Sequence, residues 1–216
     1  MNTYAWLLLA VTAAAAAVDW CVVGRGLREV EQVAGPAVPT FLAAFAWLLH
    51  ADLTTSGRWL LVALGFCLLG DVLLLRRSDR LLGIGLVSFL CAQVAFAGSV
   101  LTMSHRQPFW VGVVITVLLV LAVVSVALVP LARRDPVEGV PPLAYGLVIG
   151  AVGCVAWWSG HLLVAVGASL FIVSDATLAS SRFGRDFRGS ALVVMVTYHL
   201  ALGLLTVGLL RPDLVA

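Results

Sequence analysis

Two aspartates stand inside apolar runs: Asp71 in Gly65-Phe-Cys-Leu-Leu-Gly70-Asp71-Val-Leu-Leu-Leu75, and Asp175 in Gly167-Ala-Ser-Leu-Phe-Ile-Val-Ser174-Asp175-Ala176. A carboxyl group at membrane depth is costly, so such residues face a bundle interior or a cavity and mark function by default. Two carboxyls in one low-dielectric site cannot both ionise easily; one keeps its proton while the other stays charged. That combination is a general acid beside a general base, and it suits hydrolysis of a lipid: one Asp gives a proton to the substrate, the other activates water. The competing use is structural, each acid hydrogen-bonding a neighbouring Ser, Tyr or Arg.

Other polar residues in the apolar runs are weighed the same way. Asp19 lies one or two turns from a helix end, where it could line the site or snorkel toward Arg25. His199, with Tyr198 beside it, falls near mid-depth of the last apolar run and reads either as a substrate contact or as a satisfied core histidine. Gln93 is similarly deep and could orient a headgroup or water, or bridge two helices. Ser174 is a candidate substrate contact beside Asp175, but it has no Gly-x-Ser-x-Gly setting, so a serine-hydrolase elbow is not expected. His50, His105 and His161 fall near loops and only His199 in an interior, so neither metal nor haem nor another cofactor is expected. Cys21, Cys67, Cys91 and Cys154 lack metal or redox spacing and read as small packing residues. The chain has no lysine, which removes Schiff-base chemistry.

These residues need apolar elements to hold them, and the composition supplies them. Hydrophobic residues make up 62% of the 216, charged residues 11%, and the mean hydropathy is +1.09; a soluble domain carries roughly a quarter charged residues. An all-α polytopic membrane bundle follows, a single transmembrane domain over 1–216. At roughly 20 residues per span, eight helices use about 160 residues and leave only short loops. The pattern predicts spans near 3–24, 36–51, 58–76, 81–103, 109–132, 141–157, 159–180 and 189–210, with Pro36 and Pro39 in the first turn of the second. The N-terminal alanine run lacks the basic region of a signal peptide and is taken as the first span.

Ten of the thirteen arginines fall after the odd-numbered helices: Arg25 and Arg28; Arg76, Arg77 and Arg80; Arg133 and Arg134; Arg182, Arg185 and Arg188. The positive-inside rule then sets both termini outside the cytoplasm, in a multi-pass protein of the plasma membrane. Asp19, Asp71 and Asp175 precede these arginines by five to seven residues, which at 1.5 Å per residue places them in one layer roughly 7–11 Å deep. The arginines could hold a lipid phosphate, although topology alone explains them. Asp71 ends the third helix and Asp175 the seventh, which suggests a 4+4 internal repeat about an axis along the membrane normal. Gly146 and Gly150, and Ser88 and Ala92, are spaced for close helix packing; Gly167, Phe171 and Asp175 share one face. The expected partners are membrane lipids and not nucleic acid.

Four motifs, taken together, resemble one family. They are Gly70-Asp71-Val-Leu-Leu, Gly85-Leu-Val-Ser-Phe89, Gly167-Ala-Ser-Leu-Phe-Ile-Val-Ser174-Asp175 and Thr197-Tyr198, in order from about Gly35 onward. The chain resembles the YhhN-like lysoplasmalogenases, multi-helix membrane enzymes that cleave the vinyl-ether bond of lysoplasmalogens. The resemblance implies a lysophospholipid substrate and Asp71 and Asp175 as the acid pair. The family's Lys-Pro corresponds to Gly35-Pro36 here, its fourth-helix His and Tyr to Gln93 and Phe96, and the Gln after Thr-Tyr to Leu202. The acids are kept while polar neighbours differ, so the resemblance implies the reaction type and leaves the substrate open. Two other readings stand beside it: a proton-coupled transporter, for which Pro- or Gly-broken helices would speak, and a non-catalytic lipid-binding bundle.

Overall fold

The computed structural model describes residues 3–26, 28–75, 78–104, 107–123, 140–183 and 187–211; at 28–33, 79, 122–123, 140–145 and 182–183 it describes the backbone. Within them are eight α-helices: α1 (Thr3–Arg25), α2 (Arg28–Leu48), α3 (Thr55–Leu74), α4 (Asp79–Leu101), α5 (Phe109–Val123), α6 (Val140–Ser159), α7 (Leu162–Phe183) and α8 (Ser190–Leu210), with a 3₁₀ turn at Ala51–Leu53. Five of them, α1, α3, α4, α7 and α8, are long and apolar enough to cross a membrane. Segments Ala34–Leu48, Phe109–Leu121 and Gly146–Ser159 are shorter apolar helices.

One boundary departs from the hydropathy pattern. Helix α2 begins at Arg28, so Pro36 and Pro39 lie in its interior and not in its first turn. A proline has no N–H to donate, which leaves the carbonyl of Gly35 without its helical partner at Pro39; interior prolines are tolerated where neighbouring helices shelter the freed groups. The Thr40 hydroxyl donates to the Pro36 carbonyl at 2.8 Å and reinforces the turn between them.

Consecutive helices run antiparallel, and the two halves pack alike. In the first half α1 lies on α2, α2 on α3 and α3 on α4; in the second α5 lies on α6, α6 on α7 and α7 on α8. Across the halves α2 meets α8 as α6 meets α4, and α4 meets α8. These contacts are the ones a 4+4 arrangement would make, except that α1 and α3 also meet α8 and that α5 leans on α7. Helix α8 therefore sits at the centre, touching α1, α2, α3, α4 and α7. A helix apolar on every side belongs in such a place, and ten of its residues are buried, from Ser190 to Leu209.

The ends of the bundle differ in chemistry. Trp6, Trp47, Trp59 and Trp110 are exposed at one end, as suits an aromatic belt at a membrane interface. Arg25, Arg80 and Arg188 are exposed at the other; Arg76, Arg77, Arg133, Arg134 and Arg185, and the side chains of Arg28 and Arg182, lie outside the described residues. The α6–α7 turn at the aromatic end closes on Gly160, whose φ of +72° only glycine adopts freely. His161 follows it and is buried, whereas His50 is exposed and His105 is not described.

Small residues allow the close contacts, though not all where their spacing suggests. Ser88 and Ala92 are buried, and Ser88 Oγ donates to the Phe66 carbonyl of α3 at 2.7 Å. Gly150 approaches Val120 of α5, but Gly146 meets nothing within 4 Å; the tightest α5–α6 approach is Gly112 on the Cys154 carbonyl. Helix rotation puts Gly112 and not Gly146 in the seam.

Candidate functional site

Asp71 is carried by α3, and Gly70 before it decides what can stand beside it. A methyl group at Gly70 would come within 2.7 Å of the Phe89 ring, so glycine lets Phe89 of α4 lie against α3. Phe89 in turn meets the ring of Tyr198 edge-on, centroids 5.6 Å apart, and Phe171 of α7 does the same from another side at 5.6 Å. Held between two phenyl groups, Tyr198 of α8 donates its hydroxyl to Asp71 Oδ2 at 3.0 Å. A buried Tyr hydroxyl needs such a partner.

Asp175 is carried by α7, and its contact comes from α4: Gln93 Nε2 lies 3.5 Å from Asp175 Oδ2. Asp71, Asp175, Gln93 and Tyr198 are all buried. The arrangement repeats across the halves, because each acid receives a hydrogen bond from the last helix of the other half. Ser174 is buried too, and its Oγ donates to the Val194 carbonyl of α8 at 3.1 Å, so its one proton serves α7–α8 packing.

Cys67 lies one helical turn before Asp71, fully buried in the core cluster that also holds Phe89, Phe171 and Tyr198, which is the packing place its apolar run suggests.

Asp19 and His199 enter from the α1 side. Asp19 is fully buried, lies near Gly35 of α2, where a methyl group would be 3.7 Å from Oδ1, and is within electrostatic reach of Asp71. Its neighbour Trp20 donates Nε1–H to His199 Nδ1 at 3.1 Å, ring against ring. Among the described residues, no three His, Cys, Asp or Glu side chains gather as metal ligands would.

Residues from the four motifs thus come together: Gly70, Asp71, Phe89, Phe171 and Tyr198 are in mutual contact, and Ser174 and Asp175 are buried on α7. The family model described as the YhhN family matches residues 30–209. The chain belongs to the YhhN family. No curated protein and no solved structure matches it. The YhhN match starts inside α2, so it takes in both acids, Gln93 and Tyr198 but leaves α1, with Asp19 and Trp20, outside.

Proposed function

We propose that this YhhN protein is a lysoplasmalogenase-like hydrolase that cleaves the vinyl ether of a lysophospholipid with Asp71 and Asp175 as its acid–base pair. The observation that carries the reading is the pair of buried carboxyls on matching helices of the two halves, each hydrogen-bonded from the opposite half. The reaction asks for little else. A carboxylic acid protonates the β-carbon of the vinyl ether, giving an oxocarbenium ion that the other carboxylate faces. Water adds to the cationic carbon and loses its proton to that carboxylate. The second carboxyl then gives that proton to the glycerol oxygen as its bond to the hemiacetal carbon breaks, the hemiacetal hydroxyl gives its proton back to the first carboxylate, and a fatty aldehyde and a glycerophospho headgroup leave. No electrons are exchanged, and the acids end as they began. A positioned acid or base contributes typically 10²–10⁴-fold.

On this reading the lipid stands with its headgroup toward the arginine end, in the cytoplasmic leaflet of the plasma membrane, and both termini face away from the cytoplasm. Fatty-aldehyde release by purified protein from a lysoplasmalogen, run beside its saturated alkyl-ether analogue, tests the assignment; no release across several headgroups from folded protein would reject it. One observation favours a second reading. The paired prolines inside α2, near buried Asp19, free a backbone carbonyl within a continuous helix, a polar group that a proton-coupled transporter would use. Proton uptake driven by a solute gradient in proteoliposomes, without aldehyde release, is the result that reading requires.

A further inference from the structure

Helix α1 lies outside the matched family segment, yet it packs along α8, the helix that carries Tyr198 and His199. Its Trp20 fixes the state of His199. Indole nitrogen can only donate, so His199 Nδ1, at 3.1 Å, offers its lone pair. The imidazole is therefore neutral with its proton on Nε2. His199 is 4% exposed, and among the described residues Nε2 has no hydrogen-bond partner. A buried N–H without an acceptor is disfavoured, and native proteins rarely keep one unless a ligand or water completes it. His199 is also close to the acids: its ring lies 5.4 Å from that of Tyr198, which holds Asp71.

We infer that His199 is a substrate-positioning residue whose Nε2–H donates to an oxygen of the glycerol backbone of a lysophospholipid. The inference rests on the lysolipid reading of the acid pair. Of the three parts of such a lipid, the hydrocarbon chain has no acceptor and the phosphate is an anion suited to the arginine end. Glycerol lies between phosphate and scissile bond, and its hydroxyl and ether oxygens are neutral acceptors, which a neutral N–H matches without burying a charge. Through His199, α1 thus helps to set the lipid's register against Asp71 and Asp175.

The test is nitrogen NMR of the full chain, ¹⁵N-labelled at histidine, in nanodiscs, with His199→Gln identifying the signal. The expected spectrum is the neutral Nε2–H tautomer. An alkyl-ether lysophosphatidylcholine, which carries glycerol but no vinyl ether, moves the Nε2 resonance; an alkylphosphocholine of equal chain length, which has the phosphate and no glycerol, leaves it in place. In Trp20→Phe the signal becomes a mixture of tautomers and half-saturation needs several-fold more lysolipid. A doubly protonated or Nδ1–H ring, no response to the lysolipid, or an equal response to both lipids overturns the inference. The wild-type titration decides if Trp20→Phe does not fold. Aldehyde release from a vinyl-ether lipid is measured separately on the same sample: release without the shift rejects the His199 contact alone, and the shift without release rejects the reaction and keeps the contact.

Discussion

The two halves of the bundle hold the same kind of acid in different company. Asp71 follows a glycine that admits Phe89 and accepts a 3.0 Å bond from a phenol; Asp175 follows a serine tied to the next helix and meets an amide at 3.5 Å. The outer helices differ more. α1 brings Asp19 within electrostatic reach of Asp71 and Trp20 to His199, whereas the described part of α5, Phe109–Val123, has no charged residue and leans on α7. Matching helices of the two halves carry the two carboxyls, and the residues around each differ. On the proposed reading that divergence is what an acid–base pair needs, since identical surroundings would give neither carboxyl a reason to hold the proton.

Removing the acids tests the comparison hardest. Asp71→Asn and Asp175→Asn should each lower aldehyde release by about 10²-fold or more while thermal unfolding in detergent stays near wild type; one variant retaining its rate would mean the halves do not share the chemistry. Next come the residues before the acids. Gly70→Ala drives a methyl into Phe89, and overpacking of this kind costs about 1–3 kcal/mol, so both the unfolding temperature and the rate should drop as Tyr198 is displaced. The hydrogen-bond donors should differ in the same sense. A net hydrogen bond is worth about 0.5–1.5 kcal/mol; Tyr198→Phe should fall near the top of that range, roughly tenfold in kcat/KM, and Gln93→Met near the bottom, about two- to threefold. Equal losses would show that the longer amide contact shortens when substrate binds. The smallest effect belongs to Ser174→Ala, where loss of the bond to Val194 should cost about 0.6 kcal/mol in unfolding experiments and leave the rate within about twofold of wild type, as expected of a packing contact.

Much of this was legible in the chain. Asp71 and Asp175 stand out because ionisable groups are rare in apolar runs, and most helices lie within a few residues of their hydropathy limits. α2 was misread because interior prolines look like a helix start in sequence; its first turns, Arg28 to Val33, carry charge and fall below any apolar threshold. Nor did the sequence show Trp20 as a partner for His199, since 179 residues separate them.

By itself, then, the sequence determined that the protein is a helical membrane bundle, that most of its arginines collect at one end, and that Asp71 and Asp175 are the acids to look at. Those properties depend on composition along one axis, and hydropathy reads that axis directly. What only the tertiary structure decided is which side each helix turns inward: Tyr198 to Asp71, Gln93 to Asp175, Trp20 to His199, and α8 to the centre of all of them. These helices are apolar almost all round, so no amphipathic stripe marks the inner face. Their rotation is set by where small residues such as Gly70 and Gly112 let a neighbour approach, and that packing exists only once the helices have met.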